Sequence, residues 1–369
     1  MSEPVYFASV RARGPDESRI AKVSRLFDAA GFAGCVAPRD LVAIKVHFGE
    51  RGCDAFVSPV LARQVVNRVR DRGGLPFLTD TATLYRGSRS NAVDHMTIAV
   101  EHGFSFATVS CPVHIADGLA GRCGTEVRIE RKHFQAVSIA SGIVEADSLI
   151  GLSHVKGHDV AGFGGAIKNL GMGCATKSGK QQQHAVRPLV YEDFCEGCGR
   201  CAGICPTGAI SLGVDGRAEI DRETCIGCFD CMNVCPTGAL DIDWESDAGL
   251  FLERMAEYAL GAVKNKEGKV GFLNFLIAVS PDCDCVAWSD APIVPDIGIL
   301  ASRDPVAIDQ ASLDLVNRGT GIAGTRLAAN HAAGGDKFRG VHPKTDGGRV
   351  LPYAEEIGLG TRRYHLVEV

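Results

Sequence analysis

The chain has 369 residues, 46% of them apolar and 22% charged, with a net charge of −5, so it belongs with folded globular proteins of two or three domains, and nucleic acid is not an expected partner. No stretch approaches the roughly eighteen uninterrupted apolar residues of a membrane span. The opening MSEPVYFASVRARGPDESR has neither the apolar core nor the twin arginine of an export signal, so a cytoplasmic location is expected.

Apolar runs and helical patterns alternate from the start: VYFASV then 18–30, LVAIKV at 41–46 then 59–70, LPFLTD at 75–80 then 91–102. That rhythm predicts βαβ units and an α/β fold with a mostly parallel sheet, because helical crossovers return strands in the same direction. Polar residues gather just after the strands: Lys45, His47 and Glu50; Asp80, Thr81 and Thr83; His154, Lys156 and His158; Asp282 to Cys285. Parallel sheets bind ligands at the carboxyl ends of their strands, so one shared pocket is expected.

The segment 151–184 is the densest in chemistry outside the cysteine repeats, with three histidines, four lysines, eight glycines and Cys174. Gly162, Gly164 and Gly165 would let backbone amides approach an anion, and a helix beginning near Ile167 would add its N-terminal dipole; the alternative is a glycine turn that packs a helix onto the sheet. Lys45, His47, His158, Lys168 and His184 are the candidate catalytic residues. Histidine can move protons near neutral pH, and lysines can hold an anionic small molecule or an unidentified cofactor, with Lys168 beside the glycines.

Next come two copies of CxxCxxCxxxCP: Cys195, Cys198, Cys201 and Cys205, then Cys225, Cys228, Cys231 and Cys235, thirty positions apart and followed by PTGAI and PTGAL. Three thiolates so spaced wrap three corners of a cubane, and the fourth serves the other repeat. One [4Fe-4S] cluster is therefore expected on Cys195, Cys198, Cys201 and Cys235, and another on Cys225, Cys228, Cys231 and Cys205. A zinc site would use CxxC pairs at longer separations, with no role for the proline. Between 191 and 245 there are eleven acidic and three basic residues, a balance of −8 that leaves +3 for the rest. An acidic module suits a basic redox partner acting as electron donor.

After the repeats the pattern resumes: a helix over 250–263, the strand-like VGFLNFLIAV at 270–279, DIGILAS at 296–302, and a helix from Asp304, with Pro305 in its first turn, to 318. Residues 1–187 and 246–369 are accordingly read as one discontinuous α/β domain, with an α+β two-cluster module at 188–245 inserted in it. Cys283 and Cys285 form a CxC pair that would share a metal as a third site, completed by Cys174 or a histidine; buried free thiols are the alternative.

The cysteine repeats resemble bacterial-type two-cluster ferredoxins. Across most of the chain, KVHFGE at 45–50, HVKGHDVAGFGGAIKNLGMG at 154–173 and IVPDIGILASRDPVAIDQA at 293–311 resemble the DUF362 family, which implies an iron–sulfur protein with no established reaction. A more distant resemblance, to the N-terminal domain of nickel-pincer lactate racemases, would make His158 the acid/base, Lys168 the bond to the cofactor and His184 a nickel ligand. A racemase needs no net electrons, however, and would leave eight cysteines without a task. The expectation is a reductase that relays low-potential electrons from two clusters to the α/β pocket. Its rival is a non-enzymatic carrier or maturation adaptor that docks to a partner enzyme.

Overall fold

The computed structural model describes residues 2–85, 87–184, 187–225, 230–243 and 248–369. Cys228 and the expected boundary at 245/246 lie outside the described residues.

An eight-stranded mixed sheet organises the protein, in the order Tyr364–Glu368, Glu3–Ser9, Gly298–Ser302, Val270–Leu276, Ser148–His154, Leu41–Val46, Leu75–Asp80, Val113–Ile115. The protein is thus α/β with a mostly parallel sheet. Strands from before and after the cysteine repeats share it, Phe272 pairing with Gly151 and Lys45 also pairing with Gly151 from the other side.

One strand departs from the expected direction. Gly298–Ser302 runs antiparallel to both neighbours. The residues between it and Val270–Leu276 contain no helix, so the chain makes no crossover and must return antiparallel. The preceding strand also stops at Leu276, short of the expected 279, where Ala278 takes a left-handed φ of 51° that a strand cannot continue.

Alternation along the strands feeds two cores. Ala43, Leu149, Phe272 and Leu300 face one side, toward the helices Ala248–Val263 and Pro305–Arg318; Ile44, Ile150, Leu273 and Ile299 face the other, toward Arg19–Ala29 and Pro59–Asp71. Pro59–Asp71 forms where proline fits the first turn, and its stripe of Leu61, Ala62, Val65, Val66 and Val69 is buried. Pro305–Arg318 starts where Asp304 accepts the amides of Val306 and Ala307, as its sequence suggested.

The cysteine-rich segment forms two small antiparallel pairings, Arg187–Val190 with Leu240–Asp243 and Ile210–Leu212 with Ala218–Ile220, alongside the short helices Arg200–Ile204 and Asp230–Val234. Among the described residues, no helix is long and apolar enough to cross a membrane.

Candidate functional site

Leu41–Val46, Leu75–Asp80, Ser148–His154 and Val270–Leu276 all run parallel, so their carboxyl ends open on one edge. A cavity of about 570 Å³ lies there. Its walls include all five candidate catalytic residues, Lys45, His47, His158, Lys168 and His184.

The first two strands bring Lys45 and Asp80 into a buried ion pair at 2.9 Å, with Lys45 also donating to Asn169 Oδ1 at 2.8 Å. Burial works against the Asp80 charge, but Lys45, His95 and His47 overcome it and hold the carboxyl well below its usual range. Arg89 NH1 stands 3.7 Å from the other Asp80 oxygen, while its Nε bonds Glu50 at 3.2 Å and its NH2 bonds the Tyr85 hydroxyl at 2.6 Å. That hydroxyl donates in turn to the Cys285 carbonyl at 3.0 Å.

Beyond Ser148–His154 the chain makes a short hairpin, Lys156–His158 against Gly162–Gly164. Lys156 Nζ meets Asp284 at 2.9 Å, and the same carboxylate accepts from His154 Nδ1 at 2.7 Å. Lys168 stands apart from these pairs, with its Nζ 3.3 Å from the sulfur of Cys283. Burial would lower the Lys168 pKa, but the Cys283 and Cys285 sulfurs raise it. Cys283 falls well below the usual thiol range, through the hydrogen bond from Cys285 and, against burial, the charge of Lys168.

Burial and then neighbouring cations lower all three cavity histidines: Arg89 acts on His47, and Lys168 on both His158 and His184, the last reaching about 3. At neutral pH they are uncharged rings, able to accept a proton or ligate a metal. His184 stacks on Phe251 at 4.4 Å between ring centres.

The glycines divide. Gly164 and Gly165 line the cavity, whereas Gly162, at φ +74°, turns the hairpin against the backbone of Gly347. The expected anion seat at the start of the helix Ala166–Gly171 is filled by the protein itself. Asp309 accepts the amides of Ala166 at 2.6 Å and Ile167 at 2.9 Å, and a side chain at 165 would collide with that carboxylate. At this turn the packing alternative is what the structure shows, with the Asp309 carboxylate in the place expected for an anion.

Sequence reasoning did not single out Leu84, Tyr85, Arg89 or Lys180, all of which line the cavity. Lys180 had a legible signal: it precedes His184 by four positions, and in the helix Lys177–His184 that spacing places both on one face. Leu84, Tyr85 and Arg89 sit in an irregular loop with no period to read. Burial brings Lys180 down to about 8, with its Nζ donating to Thr81 Oγ1 and Ala175 O at 2.6 Å each.

Cys195, Cys198 and Cys201 of the first repeat and Cys235 of the second surround one small hollow. The amide of Ala218 points at the Cys195 sulfur, 3.4 Å away. Cys205 and Cys231 pack in the same apolar cluster as Cys201 and Cys235, and Cys225 is partly buried. Of the cysteines outside the repeats, Cys35, Cys53, Cys111, Cys174 and Cys283 are buried, Cys285 is partly buried and Cys123 is exposed. Cys174 does not join the CxC pair; His158 does, its ring nitrogen and the two sulfurs all lying within 4.8 Å of one another.

A mostly parallel sheet with a cationic cavity at its carboxyl edge defines the class, an α/β protein. The chain belongs to DUF362, a domain of unknown function, which it matches over residues 42–314. No curated protein matches it. Among solved structures it is similar to the lactate racemase apoprotein from Thermoanaerobacterium thermosaccharolyticum, at 14% identity and a TM-score of 0.36 over 72% of this chain and 53% of that one. It is also similar to a protein from Thermotoga maritima, at 10% identity and a TM-score of 0.37 over 78% and 57%. The chain thus spans little more than half the length of either.

Proposed function

We propose that this protein is an iron–sulfur reductase that passes electrons singly from two [4Fe-4S] clusters to an anionic substrate in the cavity. The observation that carries the reading is a shared wall: Leu84 and Tyr85 pack in one apolar cluster with Cys195, Cys201, Cys205, Cys231 and Cys235, and both also line the cavity. The hollow edged by Cys195, Cys198, Cys201 and Cys235 fits the first cluster, since its donors are all thiols and come from both repeats. When bound, the clusters supply one-electron reduction at low potential.

The chain's own residues would do the rest. Leu84 and Tyr85, which pack against the cysteines and line the cavity, exclude water between them. Lys168 and Lys180 attract the anion, while Lys45 and Lys156 are already matched by Asp80 and Asp284. Neutral His184 exchanges protons as electrons arrive. The acidic surface of the cysteine module, with exposed Phe194, Ile204 and Val214, suits docking of a basic electron donor.

Two measurements test this. Anaerobically purified protein should contain about eight irons and eight sulfides. Reduced with dithionite, it should be re-oxidised by some member of a panel of small carboxylates and oxyanions, and Lys168→Ala and His184→Ala should abolish that re-oxidation while leaving the cluster absorbance intact. Full re-oxidation in both variants would remove the cavity from the mechanism.

Anion affinity should also fall as the pH rises through about 8, because Lys180 then loses its charge beside Asp117, Asp80, Lys45 and Cys174, and Lys180→Met should flatten the profile. For folding the sign is reversed. The unfolded chain binds more protons than the folded one between about 8 and 10.5, so this lysine makes the fold more stable as pH rises through that window. Isothermal titration and urea melts across the pH range separate the two effects.

A further inference from the structure

The residues joining Val270–Leu276 to Gly298–Ser302 are pressed directly onto the strand Lys156–His158. The Gly157 amide donates to Ser280 O at 2.9 Å, and a β-carbon at 157 would strike the carbonyl of Pro281, so only glycine permits the approach. Asp284 is pulled to one side by His154 at 2.7 Å and Lys156 at 2.9 Å. Its two neighbours turn the other way, and their sulfurs meet His158, with all three donors within 4.8 Å of one another. Cys283 is 4% exposed and His158 9%, while Cys285 and His158 form part of the cavity wall.

We propose that Cys283, Cys285 and His158 bind one divalent ion of the zinc class, with a fourth coordination position open to the cavity for a small anion. Two thiolates and an imidazole are the donors that soft and borderline metals select over calcium or magnesium. Structural zinc sites close with four protein ligands, whereas three ligands and an open position mark sites that act on a bound molecule.

The charges agree with that assignment. Two thiolates cancel the ion, Asp284 is committed to Lys156 and His154, and Lys168 adds a positive charge 3.3 Å from Cys283. The position facing the cavity is therefore biased toward an anion. Nδ1 of His158 is occupied by the amides of Val160 at 3.1 Å and Ala161 at 3.0 Å, which leaves Nε2 for the ion. Ligation at Nε2 requires the other tautomer: the ring proton moves to Nδ1, which gives up the two amides and donates instead to Asp159 Oδ1, 3.1 Å away, and that bond orients the ring. The site stands apart from the cluster reading, because its three donors lie outside both cysteine repeats.

The test uses the full-length protein, purified anaerobically, incubated with excess zinc and desalted. We expect one zinc retained per chain, and an absorption spectrum at the zinc edge that reads two sulfur ligands with nitrogen or oxygen completing the shell. Mercaptoacetate, an anionic thiol, should add a third sulfur. Replacing both Cys283 and Cys285 with serine should abolish retention with iron content unchanged, which also reports that the variant has folded. Asp159→Asn should weaken zinc about 10- to 100-fold. Failure to retain zinc, zinc held by four sulfurs, or a Cys283–Cys285 disulfide in the reduced protein would each overturn the assignment. The wild-type spectrum decides it even if the serine variant does not fold.

Discussion

Changing Cys235 to serine is expected to strip protection from Cys195, Cys198 and Cys201, which are thirty-four or more positions away, before it affects the cysteines of its own repeat. The reason is the hollow that those three share with Cys235. In CxxCxxCxxxCP the fourth thiol leaves the loop too late to close its own cubane, and the duplicated partner supplies the missing corner. Iron should drop from about eight to about four or fewer per chain, with the second cluster failing in turn because the two repeats pack on each other. Cys205→Ser should give the mirror result, beginning at Cys225, Cys228 and Cys231. Alkylation under anaerobic conditions, followed by peptide mass spectrometry, identifies which thiols open first. Labelling confined to the repeat that carries the mutation would refute the cross-repeat assignment.

Asp80→Ala should destabilise the protein by about 3–5 kcal/mol, the usual result of leaving a buried charge without its partner. Lys45 is fully buried and Asp80 only 2% exposed, and Arg89 depends on the same carboxylate. Such a loss is a large share of a typical stability of about 5–15 kcal/mol. Asp80→Ala combined with Lys45→Met should recover much of it, since an apolar pair of similar volume tolerates the site better than a lone ammonium. The midpoint of urea unfolding at unchanged slope measures both variants. The pH dependence follows in sign. The Asp80 pKa is depressed in the fold, so its contribution is complete above the unfolded value of about 4 and is lost as pH falls toward the folded one. A single variant within about 0.5 kcal/mol of the parent, the range usual for exposed surface changes, would show the pair to be solvated.

Most elements of the α/β fold are legible in the chain. The runs at 41–46 and 75–80 became strands with those bounds, and the Asp304–Pro305 start was read correctly, because local patterns of burial and capping decide them. Most of the polar residues named after the strands line one cavity, for a topological reason, parallel strands having their carboxyl ends on one edge; Glu50, His154 and residues 282–284 do not line it. The edge strand Tyr364–Glu368 went unread, since it is only partly buried and pairs with Glu3–Ser9 from the far end of the chain.

Covalent spacing alone makes the cysteine framework legible as the proposed pair of cubane sites, because ligands three positions apart in one loop reach a single cubane whatever surrounds them. Partnerships between distant segments depended on the folded chain. Asp309 could not be seen to occupy the turn at Gly165, nor Gly157 to admit the loop that brings Cys283 and Cys285 to His158, nor Tyr85 to stand between cysteines and cavity. No local period encodes such contacts. They arise when close packing brings together side chains more than a hundred positions apart, as with His158 and Cys283, and it is there that the charge and the donors of the candidate site are set.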